Sequence, residues 1–336
     1  MKKYNVAVVG ATGAVGGEML NILSERNFPY GEVYALASRD SIGKEVSFGD
    51  VKTLKIESLD SFDFSKVDFA LFSAGGEVSK KFAPIAASKG AIVVDNSSAF
   101  RMDSDVSLIV PEVNPEDYST YKNKNIIANP NCVVLQMVMA LKPLHDEFGI
   151  KRIVASSYQS VSGAGKEAMD ELFAQTKARF LYQETKNNVF PRDIAFNVIP
   201  QVGAISNDGD TEEEIKVANE IKKILGSQIE TTITCVRVPV FVGHSVSVNV
   251  EFEDDIDMKT IENALKNFPG LVYHKDHSQY VTPKEIVCDY DVYVSRVRLD
   301  KTQANTINAW IVGDNLRKGA ALNAVQIAET IIKDYN

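Results

Sequence analysis

The chain has 336 residues, of which 45% are hydrophobic and 24% are charged, and its formal net charge is -9. This balance is typical of a globular protein with two domains, and the negative charge argues against a nucleic-acid surface or a basic membrane patch. The three cysteines suit neither a C-x-x-C metal site nor a disulfide framework, and no apolar run reaches the ~18 residues that span a bilayer. With no signal-peptide pattern at the N-terminus, we expect a cytoplasmic protein.

The first part of the chain, up to about residue 130, alternates short apolar runs with helical patterns, as parallel βαβ units do. Strands are expected over 4–9, 32–37, 67–72 and 91–94, and helices over 14–26 and 77–88. This pattern predicts a Rossmann-type, doubly wound parallel sheet. Such sheets bind ligands at the carboxyl ends of their strands. Those ends lie here at Gly10, Ser38, Ser73 and Asn96.

Beyond residue 132 the pattern changes to longer strands with helices set apart from them. Helices are expected over 133–148, 167–183, 211–225 and 318–333, strands over 151–159, 229–238, 245–252, 292–298 and 305–311, and an irregular segment over 187–210. We therefore expect an α/β fold with two domains. Residues 1–131 and 315–336 would form the Rossmann-type domain, and 132–314 an α+β domain with a mixed, largely antiparallel sheet.

A glycine-rich loop follows the first strand and opens the first helix. Its sequence is Gly10-Ala11-Thr12-Gly13-Ala14-Val15-Gly16. In this context glycines let the backbone N–H groups approach a pyrophosphate at the helix N-terminus. The spacing G-x-x-G-x-x-G is a variant of the dinucleotide fingerprint, and the alternative is a tight turn without a ligand.

The end of the second predicted strand distinguishes NAD from NADP. An acidic residue there would accept a hydrogen bond from the ribose 2′-hydroxyl and repel a 2′-phosphate. This chain has Arg39 between Ser38 and Asp40, with Ser41 next. Arginine can bind a phosphate through two donors, which favours NADP. Two alternatives are that Asp40 faces the ribose and that Arg39 is a solvated surface residue.

A cysteine directly precedes a predicted helix in the segment Asn129-Pro130-Asn131-Cys132. The partial positive charge of a helix N-terminus lowers a thiol pKa and can stabilise an oxyanion. The alternative is an inert buried cysteine, which is the expectation for Cys235 inside a strand; Cys288 carries no signal. A thiolate close to a nicotinamide favours oxidation of an aldehyde through a thiohemiacetal to a thioester.

Several further segments, together with these motifs, resemble the aspartate-semialdehyde dehydrogenase family over essentially the whole chain. The matching segments are 10–17, 73–76, 95–101, 110–114, 129–132, 158–165, 235–240 and 314–321, together with His244. The resemblance implies NADPH-dependent reduction of β-aspartyl phosphate to aspartate β-semialdehyde. That reaction serves lysine biosynthesis, through diaminopimelate, and the biosynthesis of threonine and methionine.

The resemblance also implies catalytic roles. Cys132 is expected to be the nucleophile, with Asn131 beside it, and Gln159 is expected to orient the substrate next to the thiol. His244 is the expected general acid–base, a role that suits the ordinary pKa of histidine. The other histidines have no matching context and are expected to be structural or surface residues: His145, His274 and His277.

Charged residues are expected to hold the substrate. By the resemblance, Arg237 binds the α-carboxylate and Glu213 the amino group, while Arg101 and Lys216 bind the phosphate. Glu213 and Lys216 are three residues apart on a predicted helix and can project from one face, although alone they would read as a solvated charged face. Arg237 lies in an apolar strand and needs an anionic partner, which a structural salt bridge would also supply.

The remaining implied contacts concern the cofactor and the partners. The cofactor-binding residues are expected to be Gly10, Thr12, Gly13, Ala14, Val15, Ser38, Arg39, Ser41, Ser73, Gly75, Ser162, Gly163 and Asn315, with NADP(H) as the cofactor and no metal. The implied partners are the small substrate, inorganic phosphate and a second copy of the chain, as a homodimer or a dimer of dimers.

The chain departs from the family at one place, because Val133 and Val134 follow the cysteine where small hydroxyl residues are usual. A hydroxyl at a helix start could cap the helix or hydrogen-bond near the thiolate. Two alternatives therefore stay open. One is a related acyl-phosphate reductase, such as N-acetyl-γ-glutamyl-phosphate reductase, whose substrate has no amino cation for Glu213. The other is a catalytically silent paralogue that binds nucleotide or a partner protein.

Overall fold

The structure, a computed structural model, describes residues 2–334, except for the side chains at 119, 120 and 334. It divides into two compact units, one made of the residues up to Asn131 and from Ala320 onward, the other of Cys132–Gly319. The second boundary between the units lies a few residues beyond the expected position at 314/315. No helix within the described range is long and apolar enough to cross a membrane.

The first unit contains a sheet of eight strands with the order β3-β4-β2-β1-β5-β6-β8-β7. The strands are β1 (Tyr4–Val9), β2 (Tyr30–Ala37), β3 (Glu45–Phe48), β4 (Lys52–Ser58), β5 (Phe69–Phe72), β6 (Ile92–Asp95), β7 (Ser107–Leu108) and β8 (Ile126–Ala128). Its helices are α1 (Ala14–Glu25), α2 (Gly76–Ser88) and α7 (Leu322–Asp334). Every pair of neighbours is parallel except β3 and β4, so the expected parallel Rossmann-type sheet is confirmed.

Burial explains why some of these strands could be predicted from the sequence and others could not. All four residues of β5 are buried, which is the pattern of a parallel strand covered on both faces. β3 and β4, in contrast, are mostly exposed and form a hairpin at the sheet edge. Because β3 and β4 are polar, they contain no apolar run from which a strand could be predicted. β7 and β8 are too short to form such a run.

The parallel order brings the ends of four central strands to one edge of the sheet. Hydrogen bonds continue past the strands there: Gly10 N–H donates to the Leu36 carbonyl and Ser73 N–H to the Val9 carbonyl. Asn96 N–H donates to the carbonyl of Phe72 in the same way. The loops that follow β1, β5 and β6 therefore form a contiguous surface at the carboxyl edge.

The second unit contains a mixed sheet of six strands with the order β10-β9-β11-β14-β13-β12. The strands are β9 (Ile150–Gln159), β10 (Glu230–Arg237), β11 (His244–Phe252), β12 (Leu271–Tyr273), β13 (Val292–Leu299) and β14 (Thr306–Gly313). The helices are α3 (Cys132–Phe148), α4 (Lys166–Phe180), α5 (Glu212–Leu225) and α6 (Met258–Asn267). The pairs β9/β10 and β12/β13 are parallel, and the other three are antiparallel. The expected mixed sheet is confirmed, although α6 and β12 had not been predicted.

Two differences in helix boundaries bear on the site. α3 begins at Cys132 itself rather than at Val133, so the cysteine is the first helical residue. The C-terminal helix, expected from 318, starts as a π-helical turn over Arg317–Ala321 and becomes α-helical only at Leu322. A π-turn leaves no signal in hydrophobic periodicity over so few residues, which explains the second difference.

The segment expected to be irregular, 187–210, has no regular strand or helix but is held by two buried side chains of α4. The Glu171 carboxylate accepts N–H hydrogen bonds from Asn188 and Val189, each at 2.7 Å. The Gln175 side-chain oxygen accepts from the N–H groups of Ile194 and Ala195, at 2.8 and 3.1 Å. These bonds substitute for secondary structure and satisfy backbone donors that would otherwise be buried without partners.

Adjacent glycines in α1 offer a test of the packing between the glycine loop and the helix. A Cβ on Gly16 would lie 2.1 Å from the Gly10 carbonyl oxygen, whereas a Cβ on Gly17 would meet nothing within 4 Å. We expect Gly16→Ala to destabilise the protein by about 1–3 kcal/mol or more, because a backbone atom cannot yield to the added methyl. Gly17→Ala should be neutral or stabilising by up to about 1 kcal/mol, since alanine is the better helix former.

Thermal unfolding of the two variants and the parent, followed by circular dichroism, measures the difference. A Gly16→Ala protein that melts at the parent temperature would contradict the close packing of loop and helix.

Candidate active site

Within the second unit, five polar side chains come from elements that meet at one sheet edge. β9 ends at Gln159 and the parallel strand β10 ends at Arg237, which are paired in register. β11 runs antiparallel to β9 and begins at His244. Cys132 opens α3, and Glu213 lies in the first turn of α5. The sequence predicted all five residues as site residues.

Arg237 is a buried cation, with only 6% of its surface exposed. Its Nη1 donates to the Ser160 carbonyl at 2.7 Å, and its guanidinium carbon lies 6.0 Å from the centre of the Phe190 ring. Burial lowers the pKa of Arg237, while the nearby charges of Glu213 and Cys132 oppose that shift. Arginine keeps its charge even so, and the site therefore contains a fixed positive charge suited to a carboxylate.

Gln159 and Glu213 are in direct contact. The Gln159 amide nitrogen donates to a Glu213 carboxylate oxygen at 3.3 Å and to the Ser157 hydroxyl at 3.2 Å. One turn further along α5, Lys216 pairs with Glu212 at 3.6 Å and is partly exposed. Glu213 and Lys216, which were expected to project from one helix face toward the same ligand, thus contact different residues.

His244 is completely buried, and its Nδ1 accepts a hydrogen bond from the Ser160 N–H at 3.0 Å. Burial, with a smaller effect of the Arg237 cation, lowers the pKa of His244 to about 3. The imidazole is therefore neutral at physiological pH. A Cβ on Gly163 would lie 3.2 Å from His244 Nε2 and 3.0 Å from Arg237 Nη1, so glycine at this position lets the loop pack closely against both groups.

Cys132 is the partly exposed cysteine at the N-terminus of α3. Gly319 leaves room beside it, because a Cβ at that position would lie 3.1 Å from the Cβ of Cys132. Val133 and Val134, which follow it, are completely buried and contribute to the core. Their side chains therefore pack the helix rather than cap it.

The other two cysteines have different surroundings. Cys235 is completely buried in β10, and desolvation raises the pKa of its thiol to about 12. Cys288 is exposed and its N–H donates to Asp314. Cys235 is thus an inert core residue, as expected, and Cys132 alone combines a helix N-terminus with a nearby cation.

In the first unit, Arg101 is held at the carboxyl edge of the sheet by main-chain carbonyls. Its Nε donates to the Asn129 carbonyl at 2.9 Å and its Nη2 to the Asn96 carbonyl at 3.0 Å. The Asn129 side chain in turn accepts from Asn323 of α7 at 2.6 Å and donates to the Ala320 carbonyl at 3.2 Å. This network fixes the direction of a second buried guanidinium.

The glycine loop of the first unit has the properties of an anion site. Gly10 has φ +86, and a Cβ there would lie 2.2 Å from the Ser73 carbonyl oxygen. Gly13 is the N-cap residue of α1, and Gly75, with φ +85, is the N-cap residue of α2. Neither glycine has a side chain that could cap its helix. The first N–H groups of both helices are thus not capped by a side chain at this position. Thr12 of the loop is exposed.

Arg39 begins a short 3-10 turn after β2 and is 76% exposed at its side chain. Its Nε donates to Asp60 at 3.1 Å. Ser38 and Asp40 are also exposed, whereas Ser41 is buried. An exposed ion pair is worth at most about 1 kcal/mol, so the guanidinium can exchange Asp60 for another anion at little cost.

Several polar residues beside these charged groups were not predicted as site residues. Ser160 contacts both His244 and Arg237. Asn96 and Asn129 contact Arg101, and Asn323 contacts Asn129. Asn96 did follow a predicted strand, and Asn323 stands in the otherwise apolar start of the last helix. Within residues 2–334, no group of three or more His, Cys, Asp or Glu side chains could hold a metal ion.

Comparisons with known proteins agree with the resemblance seen in the sequence. The family model described as semialdehyde dehydrogenase, NAD binding domain, matches residues 5–121. The model described as semialdehyde dehydrogenase, dimerisation domain, matches residues 141–318. The two models cover parts of the two structural units.

Relatives match the chain over its full length. The aspartate-semialdehyde dehydrogenase of Rickettsia bellii is 54% identical over 336 residues, covering 99% of both chains. Aspartate-semialdehyde dehydrogenase 2 of Vibrio cholerae is 47% identical over 335 residues, again covering 99% of each. A crystal structure of aspartate semialdehyde dehydrogenase II from Vibrio cholerae, complexed with ASA, superposes with a TM-score of 0.96 at 47% identity and covers 100% of both chains.

The charge interaction between Arg237 and Cys132 predicts the reactivity of the thiol. We expect Arg237→Gln to slow alkylation of Cys132 by iodoacetamide roughly tenfold, equivalent to about 1.4 kcal/mol of charge interaction, because the cation favours the thiolate. Arg298→Gln, which removes an exposed arginine of the same unit, is the matched control. Peptide mass spectrometry at neutral pH gives the rate at each cysteine. Equal alkylation rates of Cys132 in the two variants would refute this charge interaction.

Proposed function

This chain belongs to the aspartate-semialdehyde dehydrogenase family, and we propose that it catalyses the reversible reductive dephosphorylation of β-aspartyl phosphate to aspartate β-semialdehyde with NADPH. The observation that carries the proposal is the meeting of Cys132, Gln159, Arg237 and His244 at one edge of the second sheet. A nucleophile, an amide that orients the substrate, a carboxylate-binding cation and an imidazole as general acid–base are the roles proposed for these four residues.

Cys132 is the proposed nucleophile. In the phosphorylating direction its thiolate attacks the aldehyde carbon and forms a thiohemiacetal, whose oxidation gives a thioester. Inorganic phosphate then attacks the thioester carbon and expels the thiolate, leaving the acyl phosphate and the free enzyme. The helix N-terminus and Arg237 both favour the thiolate. Asn131, buried next to the nucleophile, is the proposed neighbour that supports this geometry.

The substrate is proposed to bind through both of its charged groups. Arg237 would pair with the α-carboxylate, since a buried guanidinium binds a carboxylate through two parallel hydrogen bonds. Glu213 would meet the amino group and exchange its contact with Gln159 for it. Gln159 would then be released to orient the substrate beside the thiol. An N-acetylated substrate has no cationic amino group for Glu213, which argues against the related N-acetyl-γ-glutamyl-phosphate reductase.

Phosphate is proposed to bind Arg101 and Lys216. Arg101 already has its guanidinium fixed by two carbonyls, so little conformational entropy remains to be lost on binding. Lys216 would have to leave Glu212, which is a small cost for a partly exposed ion pair.

NADP(H) is the proposed cofactor, and the chemistry that it supplies when bound is hydride transfer. The loop residues Gly10, Thr12, Gly13, Ala14 and Val15 would hold the pyrophosphate at the N-terminus of α1. Ser38, Arg39 and Ser41 would hold the 2′-phosphate. The remaining proposed contacts are Ser73, Gly75, Ser162, Gly163 and Asn315. The tight glycine loop fits this role, because a Cβ at Gly10 would clash with the backbone.

The proposal extends to the setting of the enzyme. We propose a homodimer, with a dimer of dimers as the larger alternative, because the matched dimerisation model covers most of the second unit. We propose a cytoplasmic enzyme of amino-acid biosynthesis, on the routes to lysine, through diaminopimelate, and to threonine and methionine.

Formation of NADPH from aspartate semialdehyde, with and without inorganic phosphate, tests the function. We expect turnover that depends on phosphate and that is lost in Cys132→Ala, while the NADP affinity of that variant stays nearly unchanged. Cys288→Ala, which alters an exposed cysteine, is the control and should retain full activity. Turnover by Cys132→Ala at the parent rate, or turnover without phosphate, would overturn the mechanism. NADP binding without any turnover would favour the silent paralogue.

The 2′-phosphate role of Arg39 has its own test. We expect Arg39→Ala to weaken NADP binding by about 1.5–3 kcal/mol, the worth of a hydrogen bond to a charged group, and to leave NAD binding nearly unchanged. Lys89→Ala, which removes an exposed cation at the C-terminal end of α2, is the control for net charge. Isothermal titration of the parent and both variants with each nucleotide measures the six dissociation constants. Equal losses for NADP and NAD would refute the assignment.

A further inference from the structure

Glu214 is an acidic side chain at the start of α5 that the proposed reaction does not use. One of its carboxylate oxygens, Oε2, accepts a hydrogen bond from the Thr211 N–H at 2.6 Å, and the Thr211 hydroxyl accepts one from the Glu214 N–H at 3.4 Å. This reciprocal pair is a capping box. The other oxygen, Oε1, accepts from the Cys235 N–H of β10 at 2.8 Å. A single carboxylate thus joins the first turn of the helix to the strand.

The bond to Cys235 satisfies a backbone donor at the edge of the second sheet. β10 is the edge strand, so its N–H groups that point away from β9 need acceptors from outside the sheet. Glu214 is the acceptor for Cys235, and the Ile199 carbonyl is the acceptor for the Arg237 N–H at 2.8 Å. Because Cys235 is completely buried, an N–H left there without an acceptor would be costly. The position of Glu214 against β10 is therefore strongly specified.

The chain neighbours of this link are the two residues proposed to bind the charged groups of the substrate. Glu213 directly precedes Glu214 in α5, and Arg237 follows Cys235 by two residues in β10. Since side chains alternate along a strand, Cys235 and Arg237 project from the same face. Successive residues of an α-helix point about 100° apart, so Glu214 can face β10 while Glu213 contacts Gln159 at the end of β9.

The distance between Glu213 and Arg237 depends on the rotation of α5 about its axis. The charge of Glu213 opposes the fall in the pKa of Arg237 that burial causes, so the two residues lie close together. A helix is roughly 10–12 Å across with its side chains, and a rotation of about 10° therefore moves a side chain by about 1 Å. The ammonium and carboxylate of an α-amino acid are attached to one carbon. Both can be bound only when the two residues are held at one distance.

We propose that Glu214 is a positioning residue that fixes the distance between Glu213 and Arg237, so that the site accepts an ammonium and a carboxylate carried on one carbon. The inference rests on the proposed function and deepens it, because it names the residue on which recognition of an α-amino acid depends. Glu214 acts through the helix and does not touch the substrate.

A second contact between the same helix and strand offers a comparison. At the other end of β10, Glu230 pairs with Lys222 of α5 at 3.4 Å, and the Glu230 side chain is 74% exposed. An exposed ion pair contributes little and adapts to small movements. The rotation of α5 therefore depends on Glu214 far more than on Glu230.

Substrates with and without the amino group test the positioning role. The values of kcat/KM are measured for aspartate semialdehyde and for succinate semialdehyde, which lacks the amino group, at saturating NADP and phosphate. Glu214→Asp keeps the charge but is one methylene shorter, so it either loses Cys235 or draws α5 toward the strand. We expect the ratio of the two kcat/KM values to fall about tenfold, the effect of weakening one hydrogen bond to a charged group. The fall should come mainly from a higher KM for aspartate semialdehyde.

Two control variants isolate the bond to Cys235. Glu230→Asp makes the same substitution in the exposed ion pair and should keep the parent ratio. Thr211→Ala removes the hydroxyl of the capping box but leaves Glu214 on Cys235, so the melting temperature should fall while the ratio stays at the parent value. Equal losses with both substrates in Glu214→Asp would make Glu214 merely structural, and a lowered ratio in Thr211→Ala would assign the effect to the cap. Either result overturns the positioning role.

Turnover by the parent protein distinguishes failure of this inference from failure of the proposed function. An active parent whose Glu214→Asp variant keeps the parent ratio would retain the function and overturn the positioning role. A parent that is inactive with aspartate semialdehyde in the presence of NADP and phosphate would overturn the function, and the positioning role with it.

Discussion

The main chain of Ser160 is the point on which the site in the second unit depends. Its N–H donates to Nδ1 of His244, and its carbonyl accepts from Nη1 of Arg237. One peptide segment at the end of β9 thus fixes the orientation of the imidazole and the direction of the guanidinium. Backbone groups hold these side chains more rigidly than other side chains could. The N–H and the carbonyl of Ser160 cannot rotate away without disturbing the pairing of β9 with its neighbours.

The first unit holds its buried arginine in the same way. Arg101 donates to the carbonyls of Asn96 and Asn129, which follow the carboxyl ends of β6 and β8. The Asn129 side chain is tied to Asn323 of α7, a residue almost two hundred positions away in sequence. In both units a cation that would be costly to bury is stabilised by carbonyls at a strand end.

The sequence predicted most of the fold, and it named five residues whose elements meet at one edge of the second sheet. Particular residues illustrate why. β1 and β5 are short, apolar and followed by glycine or small residues, so parallel strands were the direct prediction. The strand β3 and the helix α6 were missed, because β3 is mostly exposed and only Ile261 and Leu265 of α6 are buried. The family could also be predicted from the sequence motifs, and the 54% identity to a full-length relative confirms that prediction.

Residue type and order along the chain determined the class of fold, the glycine loop, the cysteine at a helix start and the family. Only the tertiary structure decided the state of those residues. The pKa of His244 near 3 comes from complete burial beside Arg237, and its orientation comes from a hydrogen bond with a backbone N–H. The partners of Arg101 come from two strand ends and the last helix. Such properties depend on desolvation and on contacts between distant segments, which no local pattern of residues contains.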